Sequence, residues 1–98
     1  MKTKILPNIH PGGVLLEEFL LPMEISLNAL APATGVPPRR INEIVLGKRG
    51  ITAGTALRLA EAFGSNEGFW LGLQADFNLE ESRKLIGADL DQIERLAA

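Results

Sequence analysis

The chain has 98 residues, 46% of them hydrophobic and 22% charged, with a net charge of −2; these values are those of one folded domain and exclude both intrinsic disorder and a second separately buried core. The absence of cysteine excludes a disulfide framework and thiolate metal sites, and a reducing, cytoplasmic setting is expected. The opening MKTKILPNIHPGG has no apolar run of signal-peptide length and no segment reaches the ~20 apolar residues of a membrane span, so no membrane partner is expected.

Proline and glycine divide the sequence into helical blocks. After His10-Pro11-Gly12-Gly13, the run VLLEEFLL sets Val14, Leu15, Leu16, Phe19 and Leu20 on one wide apolar face and ends at Pro22. His10 has no second ligand type near it, so it is expected to shape the entry to this helix rather than to bind metal. Glu17 and Glu18 diverge by about 100° on a helix, which makes them a solvated face and not an acid pair. Ser26 is a good N-cap for a second helix, LNALAPAT, ending at Gly35. Pro32 inside it removes a backbone hydrogen bond at a cost of ~3 kcal/mol, so a kink or a shortened helix is expected.

Pro37 and Pro38 suit the start of a third helix, where a backbone N–H has no intrahelical partner; it continues through RRINEIVL and stops at Gly47. Thr52 caps a fourth, AGTALRLAEAF, closed by Gly64, on which Arg58 reads as an ordinary surface charge. A fifth begins after Ser65 and holds GFWLGLQADF. Its Phe69, Trp70 and Leu73 are core candidates, but an aromatic left outside so small an interior would form a partner interface. The tail from Leu79 is helix-compatible, with an interruption at Gly87. Strand patterns are nearly absent. The expected fold is therefore all-α: a helical domain over 1–78 and a C-terminal helical tail over 79–98.

Charge is unevenly spread. Between 37 and 58 Arg39, Arg40, Lys48, Arg49 and Arg58 face Glu43 alone, whereas acidic residues dominate 76–98. A basic patch on an acidic chain suits one polyanion-facing surface and another face for something else; a solvated helix face is the plain alternative. The second and third helices are joined by about three residues around Gly35, as in a helix-turn-helix. Ala31 lets the two helices approach, Gly35 makes the turn, and Ile41 and Ile44 pack the third helix. On a helical wheel Ile41, Ile44 and Val45 fall together, while Arg39, Asn42, Glu43 and Leu46 point away and Arg40 borders them. Arginine pairs bidentately with guanine and asparagine with adenine, and Lys48 and Arg49 beyond the helix are placed for phosphates. Ser26 and Thr52 have no base partner and are caps, not nucleophiles. Neither catalytic nor metal-binding residues stand out, and no cofactor is expected.

The blocks IHPGGVLLEEFL, GVPPRRINEIVLGKRGIT, TALRLAEAFG and GFWLGLQADFNL strongly resemble the HigA or VapI-type antitoxins, a branch of the helix-turn-helix repressors related to the phage lambda and 434 type. The resemblance covers roughly residues 8 to 80. It implies a five-helix DNA-binding domain that dimerises, binds a palindromic operator in its own promoter, and neutralises a HigB-type toxin that cleaves messenger RNA. Carried over by position, it puts Pro38, Arg39, Arg40 and Asn42 on the DNA-facing helix and Lys48 and Arg49 near the backbone. Phe69, Trp70 and Leu73 become candidates for the dimer or toxin interface. Where the family usually has a glutamine bracing the DNA backbone this chain has Leu27, leaving Ser26 or Asn28 to take that role. Two alternatives stay open: a stand-alone transcriptional regulator, and a toxin-binding module with weak DNA affinity.

Overall fold

In the computed structural model, residues 8–97 are described. Their regular structure is five helices: α1 Pro11–Val14, continued by a π-helical segment Leu15–Leu20, then α2 Leu27–Thr34, α3 Pro38–Val45, α4 Ala53–Phe63 and α5 Glu67–Leu90. No strand occurs among the described residues, so the all-α expectation holds.

The first helix starts earlier than the VLLEEFLL block. His10 Nδ1 accepts from the Gly12 N–H at 2.9 Å, and Pro11 occupies the first helical position, where no N–H is needed. Both glycines are thus inside the helix. The π segment follows, with the Leu21 N–H reaching the Leu16 carbonyl at 2.9 Å. Residues five apart lie about 140° from each other on an α-helix; the wider π turn narrows that angle. Leu15 and Leu20 are accordingly both buried.

The expected shortening of α2 at Pro32 does not occur; the helix fills the whole LNALAPAT block. Its ends explain why. Ser26 Oγ accepts from the Ala29 N–H at 3.1 Å, and Thr34 Oγ1 donates to the Leu30 carbonyl at 2.9 Å. Gly35 closes the helix in the left-handed region at φ 74°, its N–H on the Ala31 carbonyl at 2.9 Å. The missing proline N–H affects only the Asn28 carbonyl in the exposed first turn.

Trp70 is the centre of the core, fully buried with Leu15, Ile41, Ile44 and Leu59 around the same interior. Its ring lies 4.9 Å from Phe19 and 5.0 Å from Phe69, and its Nε1 donates to Ser65 Oγ at 3.2 Å. A buried indole needs that acceptor. Trp70 therefore offers no surface to a partner, which corrects its assignment to an interface.

α5 runs unbroken for 24 residues, past residue 79 and through Gly87. One glycine costs a helix only about 1 kcal/mol relative to alanine. Against that stand the pairs Arg83–Glu80 at 2.7 Å and Lys84–Glu81 at 3.0 Å, and Asn8, whose Nδ2 donates to the Phe77 carbonyl at 2.9 Å and to Glu81 at 3.0 Å. Residues 91–97 carry no helix.

Candidate nucleic-acid interface

The phase of α3 is fixed by Ile41 and Ile44, each 1% exposed. With those two turned inward, Arg39 and Asn42 stand exposed on the side the helical wheel gives them, Arg40 is exposed at its border, and Pro38 is exposed at the helix start. Pro37 and Pro38 open the helix, so the two arginines sit in its first turn, where the helix dipole adds positive potential. Lys48 and Arg49, also exposed, follow its C-terminus.

Glu43 connects the two groups. Its Oε1 accepts from Arg49 Nε at 2.9 Å and its Oε2 pairs with Arg39 Nε at 3.5 Å. The Arg49 hydrogen bond, helped by both guanidinium charges, holds its carboxyl below the usual range. Pro37, Arg39, Arg40, Glu43 and Arg49 line one shallow depression of about 360 Å³.

The basic loop after α3 is anchored from both sides. The Lys48 N–H donates to the Glu43 carbonyl at 2.8 Å, and Gly47 turns the chain at φ 76°. At the far side the Ile51 N–H donates to Gln74 Oε1 of α5 at 2.7 Å, while Gln74 Nε2 is fixed on Asn78 Oδ1 at 2.9 Å. Thr52 then caps α4, accepting from the Thr55 N–H at 3.4 Å. Gln74 was not singled out by the sequence, because a bond between residues 51 and 74 has no local signature.

Arg58 is a second such residue. Its Nη1 donates to the Thr34 carbonyl at 2.9 Å, satisfying an orphan acceptor at the C-terminus of α2. Arg58 lies on the surface as expected, and there it also braces α4 to the turn. Gly12 is a third: a Cβ there would overlap the Ile44 carbonyl, so α1 and α3 touch backbone to backbone.

The start of α2 stands apart from this basic group. Ser26 and Asn28 are exposed, with Ser26 Oγ engaged as the cap, while Leu27 packs against the core. Leu27 therefore presents nothing polar to a partner. Phe69 is exposed at the edge of the aromatic cluster, and Leu73 is half-buried against the core. Among the described residues no group of His, Cys, Asp or Glu could hold a metal ion, and no helix is long and apolar enough to cross a membrane.

Comparison with known proteins agrees with this geometry. The Helix-turn-helix family profile matches residues 16–70. Virulence-associated protein I of Dichelobacter nodosus is 53% identical over 75 residues, which cover 76% of this chain and 69% of that protein. Antitoxin HigA-1 of Vibrio cholerae is 39% identical over 82 residues, covering 84% of this chain and 76% of that one. The solved structure of the Pseudomonas aeruginosa antitoxin HigA with the higBA promoter superposes with a TM-score of 0.87 at 38% identity, covering 93% of this chain and 100% of the other. By sequence and by fold, the chain belongs to the helix-turn-helix family, in its HigA and virulence-associated protein I branch.

Proposed function

We propose that this protein is a sequence-specific DNA-binding antitoxin that represses its own operon and neutralises a HigB-type messenger-RNA-cleaving toxin. One observation carries the DNA half: Arg39, Arg40 and Asn42 are exposed on the outer side of α3, in a phase fixed by buried Ile41 and Ile44. That is the placement of a recognition helix, whose N-terminal residues meet base edges in the major groove. Lys48 and Arg49 supply phosphate contacts and set register; Pro38 fixes the helix start, and Ser26 and Asn28 approach the neighbouring backbone from α2. The protein works in the cytoplasm, as a binding protein and not an enzyme. The P. aeruginosa relative solved with the higBA promoter supports the same reading.

Residues 1–78 form the DNA-binding unit, and the tail over 79–98 serves assembly. Leu79, Ile86 and Leu90 are exposed on one side of α5, opposite the face that carries Trp70. An antiparallel pair of α5 helices crossing at Leu79 would bury this apolar side. A homodimer of this kind would present two α3 helices to a palindromic operator. Phe69 and Leu73 are left for the toxin.

The test is binding to a duplex taken from upstream of the protein's own reading frame. Affinity should fall steeply with salt, and Arg39→Ala should abolish the shift. Unchanged binding by Arg39→Ala would remove α3 as the reading helix. The pairing of both Arg39 and Arg49 with Glu43 favours a second reading, a toxin-binding module with weak DNA affinity; no binding at low salt would put it ahead.

A further inference from the structure

An acidic side chain on a phosphate-facing helix needs a reason to be there. Repulsion from the DNA backbone opposes binding, and exposed ion pairs contribute only about 0–1 kcal/mol to stability. Glu43 is neither solvated freely nor paired once. Each of its carboxylate oxygens takes a different arginine, Oε1 the Nε of Arg49 and Oε2 the Nε of Arg39, and its backbone carbonyl also receives the Lys48 N–H.

The atoms involved matter. Both contacts run through Nε, the single N–H at the root of the guanidinium, as a 2.9 Å hydrogen bond from Arg49 and a longer 3.5 Å ion pair with Arg39, so each arginine keeps the four N–H donors of its two terminal amino groups. These are the groups that fork onto guanine O6 and N7 or onto a phosphate. Arg39 has a side chain 90% exposed, and an arginine free in water carries about 2 kcal/mol of rotamer entropy. The ion pair with Glu43 biases Arg39, before DNA arrives, toward the carboxylate that Arg49 hydrogen-bonds.

Resting on the DNA-binding reading above, we propose that Glu43 is a specificity-determining positioning residue: it hydrogen-bonds Arg49 through Nε, draws Arg39 to the same carboxylate, and presents their terminal amino groups together to the operator. Simple electrostatics makes the opposite forecast, that removing this negative charge improves binding to every DNA alike.

The experiment compares wild type, Glu43→Gln and Glu43→Ala on two duplexes of equal length, one from upstream of the reading frame and one with the same bases scrambled, across a salt series. Glutamine keeps the shape but loses the charge, and alanine loses both. Thermal melting should leave both variants near wild type, as expected for an exposed pair. The scrambled duplex should bind the variants several-fold more tightly, whereas the preference for the upstream duplex should fall by about tenfold, within the range of one bidentate base contact. In the free protein, the Nε–H resonance of Arg49 should lose its protection from solvent exchange in Glu43→Ala. A preference retained or increased in both variants would overturn the role of Glu43 alone. A wild type without preference for the upstream duplex would overturn the DNA-binding reading and this role with it.

Discussion

Gly12 and Ile44 meet so closely that a Cβ added at Gly12 would overlap the Ile44 carbonyl. The first helix is therefore laid directly on the backbone of α3, at the end from which the basic loop departs. Gly12→Ala should destabilise the fold by about 1–3 kcal/mol, the range of overpacked interiors, as a lower urea midpoint. Gly54 is the internal control: it lies in α4 with no atom within 4 Å of an added Cβ. Gly54→Ala should instead stabilise by roughly 0.5–1 kcal/mol.

The bond from Arg58 Nη1 to the Thr34 carbonyl ties α4 to the last turn of α2. Arg58→Met keeps much of the aliphatic stem and removes the donor, so it should cost about 1 kcal/mol in chemical denaturation. Because Arg58 sits a helix away from α3, the salt slope of DNA binding should not change. A reduced slope with unchanged stability would show that Arg58 contacts DNA instead.

Burial holds the His10 imidazole below its ordinary pKa, and its Nδ1 must be unprotonated to accept from the Gly12 N–H. The group's contribution is fully present above the unfolded-state pKa of about 6.5 and is lost as pH falls through the lower folded value. Melting temperature should decline as pH drops below about 6.5. His10→Asn, which caps without titrating in this range, should flatten that decline. Glu43 and Glu81, whose carboxyls are both held low chiefly by hydrogen bonds, from Arg49 and from Asn8, lose their contributions only at more acidic pH.

Leu79 is 53% exposed near the middle of α5, whereas Trp70 is wholly enclosed. Leu79→Asp should leave the melting temperature of the monomer unchanged and shift sedimentation from dimer to monomer. Trp70→Ala should cost about 3–5 kcal/mol and unfold much of the population. Leu79→Asp that remains dimeric would move the pairing surface off α5.

The fold was legible where a residue's role depends on its sequence neighbours. Ser26, Thr52, Gly35 and Gly64 cap the helices that local sequence assigns to them, and the wheel of α3 sorts Ile41 and Ile44 inward and Arg39 and Asn42 outward, with Glu43 and Val45 between. Readings failed where the deciding partner lies far along the chain. Arg58 reads as a surface charge and nothing more until Thr34 is beside it, and Gly87 looked like an interruption on a helix held by other bonds. The sequence leaves Trp70 between core and interface because composition gives no measure of how much interior the domain has; burial puts it in the core. In the candidate site the basic residues were visible at once; the double pairing of Glu43 was not, since residue 49 reaches it only after the chain turns at Gly47.

α5 belongs to two surfaces at once. Through Gln74 it holds the Ile51 N–H beside the basic loop, and five residues later Leu79 opens its outward apolar side. Were a second copy to pack on that side and DNA on the loop, as proposed above, one continuous helix would join the two contacts, and a free energy carried from one to the other would be carried back in equal measure. Such linkage is reciprocal. Under that reading, loosening the pairing of copies would weaken the hold on DNA at Lys48 and Arg49 without touching them.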